Sequence, residues 1–157
     1  MREILFRAKR IDNGEWVEGG FHKHIKRTPC PIGDSLEDDD IAYLIIESGF
    51  SDWNMPKPLF SYQVDPETVG QYTGMKDIVG KRIFEGDILE FWQPEFDLTD
   101  KSWGIVRYFA DEDYPAFDIE TLNVDSNGLS YIMANCECEI IGNIHDNDDN
   151  PELLVTE

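Results

Sequence analysis

Residues 74–82, Gly-Met-Lys-Asp-Ile-Val-Gly-Lys-Arg, have the outline of a phosphate-binding loop, in which backbone amides between two glycines cradle phosphate and a Lys follows. That loop needs four residues between the glycines and a Ser or Thr after the Lys. Here five residues intervene and Arg82 stands in the hydroxyl position. The segment also precedes a strand pattern instead of opening a helix, so no nucleotide site is expected. Asp146, Asp148, Asn150 and Glu157 fall at ligand positions 1, 3, 5 and 12 of a calcium loop, but Pro151 occupies the position where the sharp turn wants Gly. A polar C-terminal tail is the simpler reading. Cys136 and Cys138 share one face of a strand that includes both, whereas His145 has the opposite parity and Cys30, His22 and His24 lie in a distant segment. No paired Cys-x-x-Cys spacing marks a zinc site, so the thiols read as small core or edge residues. No triad-like pattern surrounds the three histidines, and the carboxylates are too abundant for any pair to be singled out. The expectation is a protein that is not an enzyme, with no catalytic, cofactor-binding or metal-ligating residues and no cofactor.

One further constellation belongs to binding. Phe6, Arg7, Lys9, Arg10, Trp16, Phe21, Lys23, Lys26 and Arg27 mix rings with cations, the combination that stacks on bases and holds phosphates. Against it stands the chain's charge, −20 from 33 acidic and 13 basic residues. Residues 1–27 hold seven cations, Arg2 among them, against four acids. That stretch therefore carries +3 and the remainder −23. A field of this sign disfavours nucleic acid and anionic membrane and favours basic partners. The basic segment also complements the acidic body of a second copy, which predicts self-association.

The elements that would position these groups are strands. Residues 3–9 alternate, with Ile4, Phe6 and Ala8 on one side and Arg7 and Lys9 on the other. Asp12-Asn13-Gly14 supplies a turn, and Trp16-Val17 opens the second arm of a β-hairpin. Residues 23–40, with two prolines and the acidic run Glu37-Asp38-Asp39-Asp40, predict a mobile loop. Residues 41–46 read as a buried strand and 60–64 as another, with the Pro-containing connection around Trp53-Asn54-Met55-Pro56 between them. Asp65 caps a short helical turn begun by Pro66. Strands are then expected over residues 86–92, 103–109, 116–120, 129–133 and 137–144, with residues 150–154 as a closing turn. With no amphipathic crossover helix, five short strands imply a bent barrel or sandwich rather than a parallel sheet. At 157 residues, with no apolar run near the ~20 residues that span a bilayer and no signal-peptide core in residues 1–20, a cytoplasmic protein is expected.

Several short motifs occur in one order over nearly the whole chain. They are Arg2-Glu3-Ile4-Leu5-Phe6-Arg7-Ala8 with Trp16-Val17-Glu18-Gly19, then Val69-Gly70-Gln71-Tyr72-Thr73-Gly74 and Lys81-Arg82-Ile83-Phe84-Glu85-Gly86-Asp87-Ile88, then Glu139-Ile140-Ile141-Gly142-Asn143-Ile144 with Asn150-Pro151-Glu152-Leu153. The set resembles the YopX family of phage and prophage proteins, mostly from Gram-positive bacteria. The resemblance implies a mostly-β fold, with a small β lobe over residues 1–69 that carries the acidic insertion. An SH3-like β-barrel with a C-terminal tail follows over residues 70–157, and a homo-oligomer is implied. It implies no activity. Gly86-Asp87 reads as a turn entering a strand and Gly142 as a bulge, both fold determinants. The expected function is that of a non-enzymatic phage or prophage accessory protein that self-associates and acts through contacts with host or phage proteins. The alternatives are a nucleic-acid-binding factor using the basic hairpin and an acidic DNA-mimic decoy of a host protein.

Overall fold

The computed structural model describes residues 3–93, 101–110, 115–120 and 128–146. Arg2, Asp148, Asn150, Pro151, Glu157 and the closing turn at 150–154 lie outside them. The chain divides into two compact units, Met1–Gln71 and Tyr72–Glu157. As expected, strands dominate both.

In the first unit, β1 (Phe6–Lys9) and β2 (Trp16–Ile25) form the hairpin, followed by β3 (Ile41–Ser48) and β4 (Leu59–Gln63). The strand order is β4-β3-β2-β1, all antiparallel, and the first residues of β5 (Gly70–Lys76) run along β1, with Phe6 opposite Gln71. The hairpin closes where the sequence supplies a residue able to take positive φ. Gly14 sits at φ 71°, and the Gly14 and Arg10 amides donate to Arg10 and Glu15 carbonyls. Alternation puts Phe6, Ala8, Val17, Phe21, Tyr43, Ile45, Tyr62 and Val64 on one face, where they form the core with Val69. Ile4, by contrast, is exposed. Asp65 caps the short helical turn at Pro66–Thr68 by accepting the Glu67 amide.

β2 changes partner halfway along. Residues 16–19 pair with β1 and residues 20–25 with β3. At the changeover, a Cβ on Gly19 would lie 2.2 Å from the Ile46 carbonyl oxygen, a backbone atom that cannot swing away.

In the second unit, the remainder of β5 pairs with β6 (Arg82–Phe84), Tyr72 lying opposite Phe84. β7 (Asp87–Trp92), β8 (Ser102–Phe109), β9 (Ala116–Glu120) and β10 (Glu137–Asn143) make an antiparallel sheet of order β10-β7-β8-β9. Asp87, Ile88 and Leu89 are all buried, which fits the imperfect alternation of a strand covered on both faces. Gly142 follows a bulge: Ile140 lies opposite Leu89 and Gly142 opposite Ile88, which leaves Ile141 over.

Two expectations are corrected here. Residues 129–133 are no strand but lie inside a helix, α1 (Gly128–Asn135). The apolar run there is short enough to suit either element, and what selects the helix is that Leu129, Ile132 and Met133 recur at helical spacing and pack on one core. The Leu129 amide at its start donates to the Asp118 carboxylate of β9 at 2.8 Å. Nor does the sheet close into an SH3-like barrel. β9 and β10 stand at opposite ends of the strand order, and the helix between them in sequence packs against both. The core is Ile83, Leu89, Val106, Ile119, Leu129, Ile132 and Cys138.

Gly19→Ala is expected to destabilise the first unit by about 1–3 kcal/mol, the cost of an overpacked site. Gly20→Ala, whose Cβ would sit 3.9 Å from the same oxygen, is expected to stay within about 0.5 kcal/mol of wild type. Urea unfolding of the two variants decides it.

Candidate functional site

The segment that outlines a phosphate cradle is the end of β5 and its connection to β6, with Gly74 inside β5 at φ 91° and Gly80 in the connection at φ 86°. Its inward amides are already occupied. Asp77, only 6% exposed, accepts the Val79 amide at 3.1 Å and the Lys81 amide at 2.7 Å on Oδ1, and the Ile140 amide at 3.3 Å on Oδ2. The Ile78 amide donates to the Cys138 carbonyl. A phosphate would need these same donors and would meet a carboxylate in their midst. The loop is a structural joint built around its own anion.

The Gly86-Asp87 motif is a second joint. Asp87, 1% exposed, accepts the Phe84 amide at 2.8 Å and the Asn143 side-chain amide at 3.1 Å. Gly86 turns at φ 86°, with Asn143 Nδ2 3.2 Å from where a Cβ would stand. Cys138 is buried beside Met133, its Sγ 3.8 Å from the Met sulfur. Burial pushes the Cys138 thiol up, with a smaller push from Asp77, and burial also raises Cys136. Both shifts favour the protonated thiol, which is a poor nucleophile and metal ligand. Cys30 is exposed in the loop after β2, and the His145 amide donates to Asn143. Among the described residues, no group of three or more His, Cys, Asp or Glu is placed to hold a metal.

The cations of the first hairpin do not stand together as a free patch. Arg7 is buried with its guanidinium 4.7 Å from the centre of the Trp16 ring, and Lys9 lies over the same ring at 5.4 Å. Arg10 pairs with Asp12 and lies 4.2 Å over Tyr62, at the wall of a shallow cleft of about 380 Å³ lined also by Ile11, Ser61 and Gln63. Lys23 lies over Tyr43 at 5.7 Å. Lys26 donates to the Asp39 carbonyl, and Arg27 bonds the carboxylates of both Asp34 and Asp40 at 2.7 Å. The acidic insertion is thereby folded onto Arg27. Asp40 also accepts the Glu37 amide and Asp34 the Cys30 amide. Hydrogen bonds from Arg27 hold both carboxyls below the usual carboxylate range and raise Arg27 itself.

This unit also leaves large apolar side chains open. The connection from β3 to β4 carries Phe50, 88% exposed, Trp53, 95% exposed, and Met55, and it runs into Leu59 and Phe60 of β4, both exposed. β4 ends the strand order; the Ile11 amide beyond β1 bonds the Gln63 carbonyl at its last residue, and over residues 59–62 its outer edge has no strand partner among the described residues. In the sequence this segment reads as a connection only. The signal that marks it is Phe50, Trp53, Met55, Leu59 and Phe60 within eleven residues, without the period-2 spacing that would bury them.

The geometry defines a two-unit, mostly-β chain whose ordered motifs serve as structural joints. The chain matches the YopX protein family over residues 5–155 and belongs to that family. Among solved structures it is similar to that of protein EF1440 from Enterococcus faecalis, with 26% sequence identity over 99% of this chain and 100% of that one, and a TM-score of 0.49. No curated protein matches the chain. No helix among the described residues is long and apolar enough to cross a membrane.

Two expectations follow from the joints and the loop. Asp77→Ala strips three backbone amides of their acceptor and is expected to cost about 2–4 kcal/mol, read as a lower urea midpoint at unchanged slope. The Arg27 clamp makes the acidic loop sensitive to acid. Because Asp34 and Asp40 ionise at lower pH in the folded loop than in an unfolded chain, their contribution is complete above about pH 4 and is lost as pH falls through the depressed values. Protection of the Cys30 and Glu37 amides against exchange, relative to the intrinsic rate, is expected to fall in that acid range while core amides such as Ile45 stay protected. Arg27→Ala is expected to produce the same local release at neutral pH, with exchange at those two amides faster by roughly tenfold. Unchanged loop protection in the variant counts against the clamp.

Proposed function

We propose that this chain is a non-enzymatic accessory protein of phage or prophage origin that acts in the cytoplasm through protein contacts, self-association among them. The observation that carries the reading is the outer edge of β4 over residues 59–62, with Phe50, Trp53, Met55, Leu59 and Phe60 exposed along and beside it. Exposed aromatics grouped at an unpaired strand edge are what β-sheet extension and hydrophobic docking use. Nucleic-acid binding through the first hairpin is the weaker reading, since each described cation there is engaged within its own unit. A decoy that imitates nucleic acid finds support only in the acidic surplus.

Light scattering across micromolar concentrations is the test. The wild-type chain is expected as an oligomer, and a Trp53→Ser/Leu59→Lys variant with an unchanged circular dichroism spectrum is expected to dissociate. A wild-type monomer throughout overturns the self-association.

A further inference from the structure

His22 and His24 sit two residues apart on β2, so their side chains leave the same face of the strand. Both are exposed, and their ring centres lie 6.1 Å apart with the ring planes tilted by 33°. A single metal bound through one nitrogen of each ring, at about 2.0–2.1 Å, holds two ring centres about 5–6 Å apart. The observed spacing is already close to that of a chelate, and small side-chain rotations complete it.

The surroundings leave the pair available. Directly across on β3 stand Leu44 opposite His22 and Ala42 opposite His24, neither of which offers a side-chain hydrogen-bond partner. No hydrogen bond or ion pair to either imidazole forms among the described residues. β1 covers β2 only as far as Gly19, so the stretch carrying the histidines is flanked by β3 alone. The intervening Lys23 points to the opposite face, over Tyr43, and so does not set its charge between the rings.

We propose that His22 and His24 form a two-imidazole chelate for a borderline divalent transition metal, of the class of Zn²⁺, Ni²⁺ or Cu²⁺, with its remaining coordination positions open to water or to a donor from another molecule. Imidazole selects these ions over Mg²⁺ and Ca²⁺, which the chain's many carboxylates suit better. The inference stands apart from the proposed function, since it concerns a different strand from the β4 edge.

The test is titration of the untagged full-length chain with Ni²⁺ and with Zn²⁺ by calorimetry, beside His22→Ala, His24→Ala and the double variant. All three variants keep the background of carboxylates and thiols, so any difference reports the pair. The wild type is expected to show one site that each single variant weakens by roughly tenfold or more, because the second ring binds intramolecularly once the first has bound, with the double variant weakest. Equal binding by wild type and double variant overturns the proposal. So does a loss confined to one of the two single variants, since a chelate needs both rings.

Discussion

A carboxylate buried between a backbone amide and a side-chain amide is the constraint on which the second unit depends. Asp87 is tolerated in the interior only because donors converge on it, and the elements that supply them must then stay where they are. One donor comes from the end of β6 and another from the end of β10, while Asp87 itself begins β7. The bulge at Gly142 serves the same joint. With Ile141 left over, Asn143 comes directly opposite Asp87, whereas an unbroken ladder would have put Gly142 there. The Gly86 turn, the Gly142 bulge and the Asn143 amide are three sequence features with one cause. Asp77 repeats the device at the preceding connection by collecting amides from its own loop and from β10.

The first unit handles charge differently. Its cations lie over aromatic rings, which leaves their charge in place, or against nearby acids, so only part of the polarity between a basic hairpin and an acidic remainder is offset inside the unit. Arg27 is the clearest instance. It belongs to the basic stretch by sequence and to the acidic insertion by contact. A net charge summed over residues 1–27 therefore overstates the positive field that a partner meets.

How legible this was in the sequence depended on how local the cause is. The hairpin at Asp12-Asn13-Gly14, the cap at Asp65 and the strand at residues 116–120 rest on a few adjacent residues, and they appear where their composition places them. Residues 129–133 could not be assigned locally, because a short apolar run satisfies either period until Asp118 receives the helix's first amide and the core takes Leu129 and Ile132. The flaws of the phosphate-loop pattern were visible, but what fills the loop was not, since Asp77 reaches Ile140 across 63 positions of chain. The loop expected at residues 23–40 begins only after β2 ends at Ile25, and its clamp was hidden because it joins Arg27 to acids seven and thirteen residues away. Exposure of Trp53 was equally hidden, since a Trp in a loop reads the same whether covered or bare.

The β4 edge has one more consequence, for colloidal behaviour. Natural sheets guard an open edge with lysines, prolines or inward-pointing charges, yet Leu59-Phe60-Ser61-Tyr62-Gln63 contains none of these, and Pro58 stands just outside it. Protection against indiscriminate stacking of edges must then come from long-range repulsion between whole molecules, each carrying −20. Such repulsion reaches only about 8 Å at physiological ionic strength and shrinks further as salt is added. The gatekeeper of this edge is the surrounding electrolyte, and the dispersed state of the protein is set by its medium as much as by its fold.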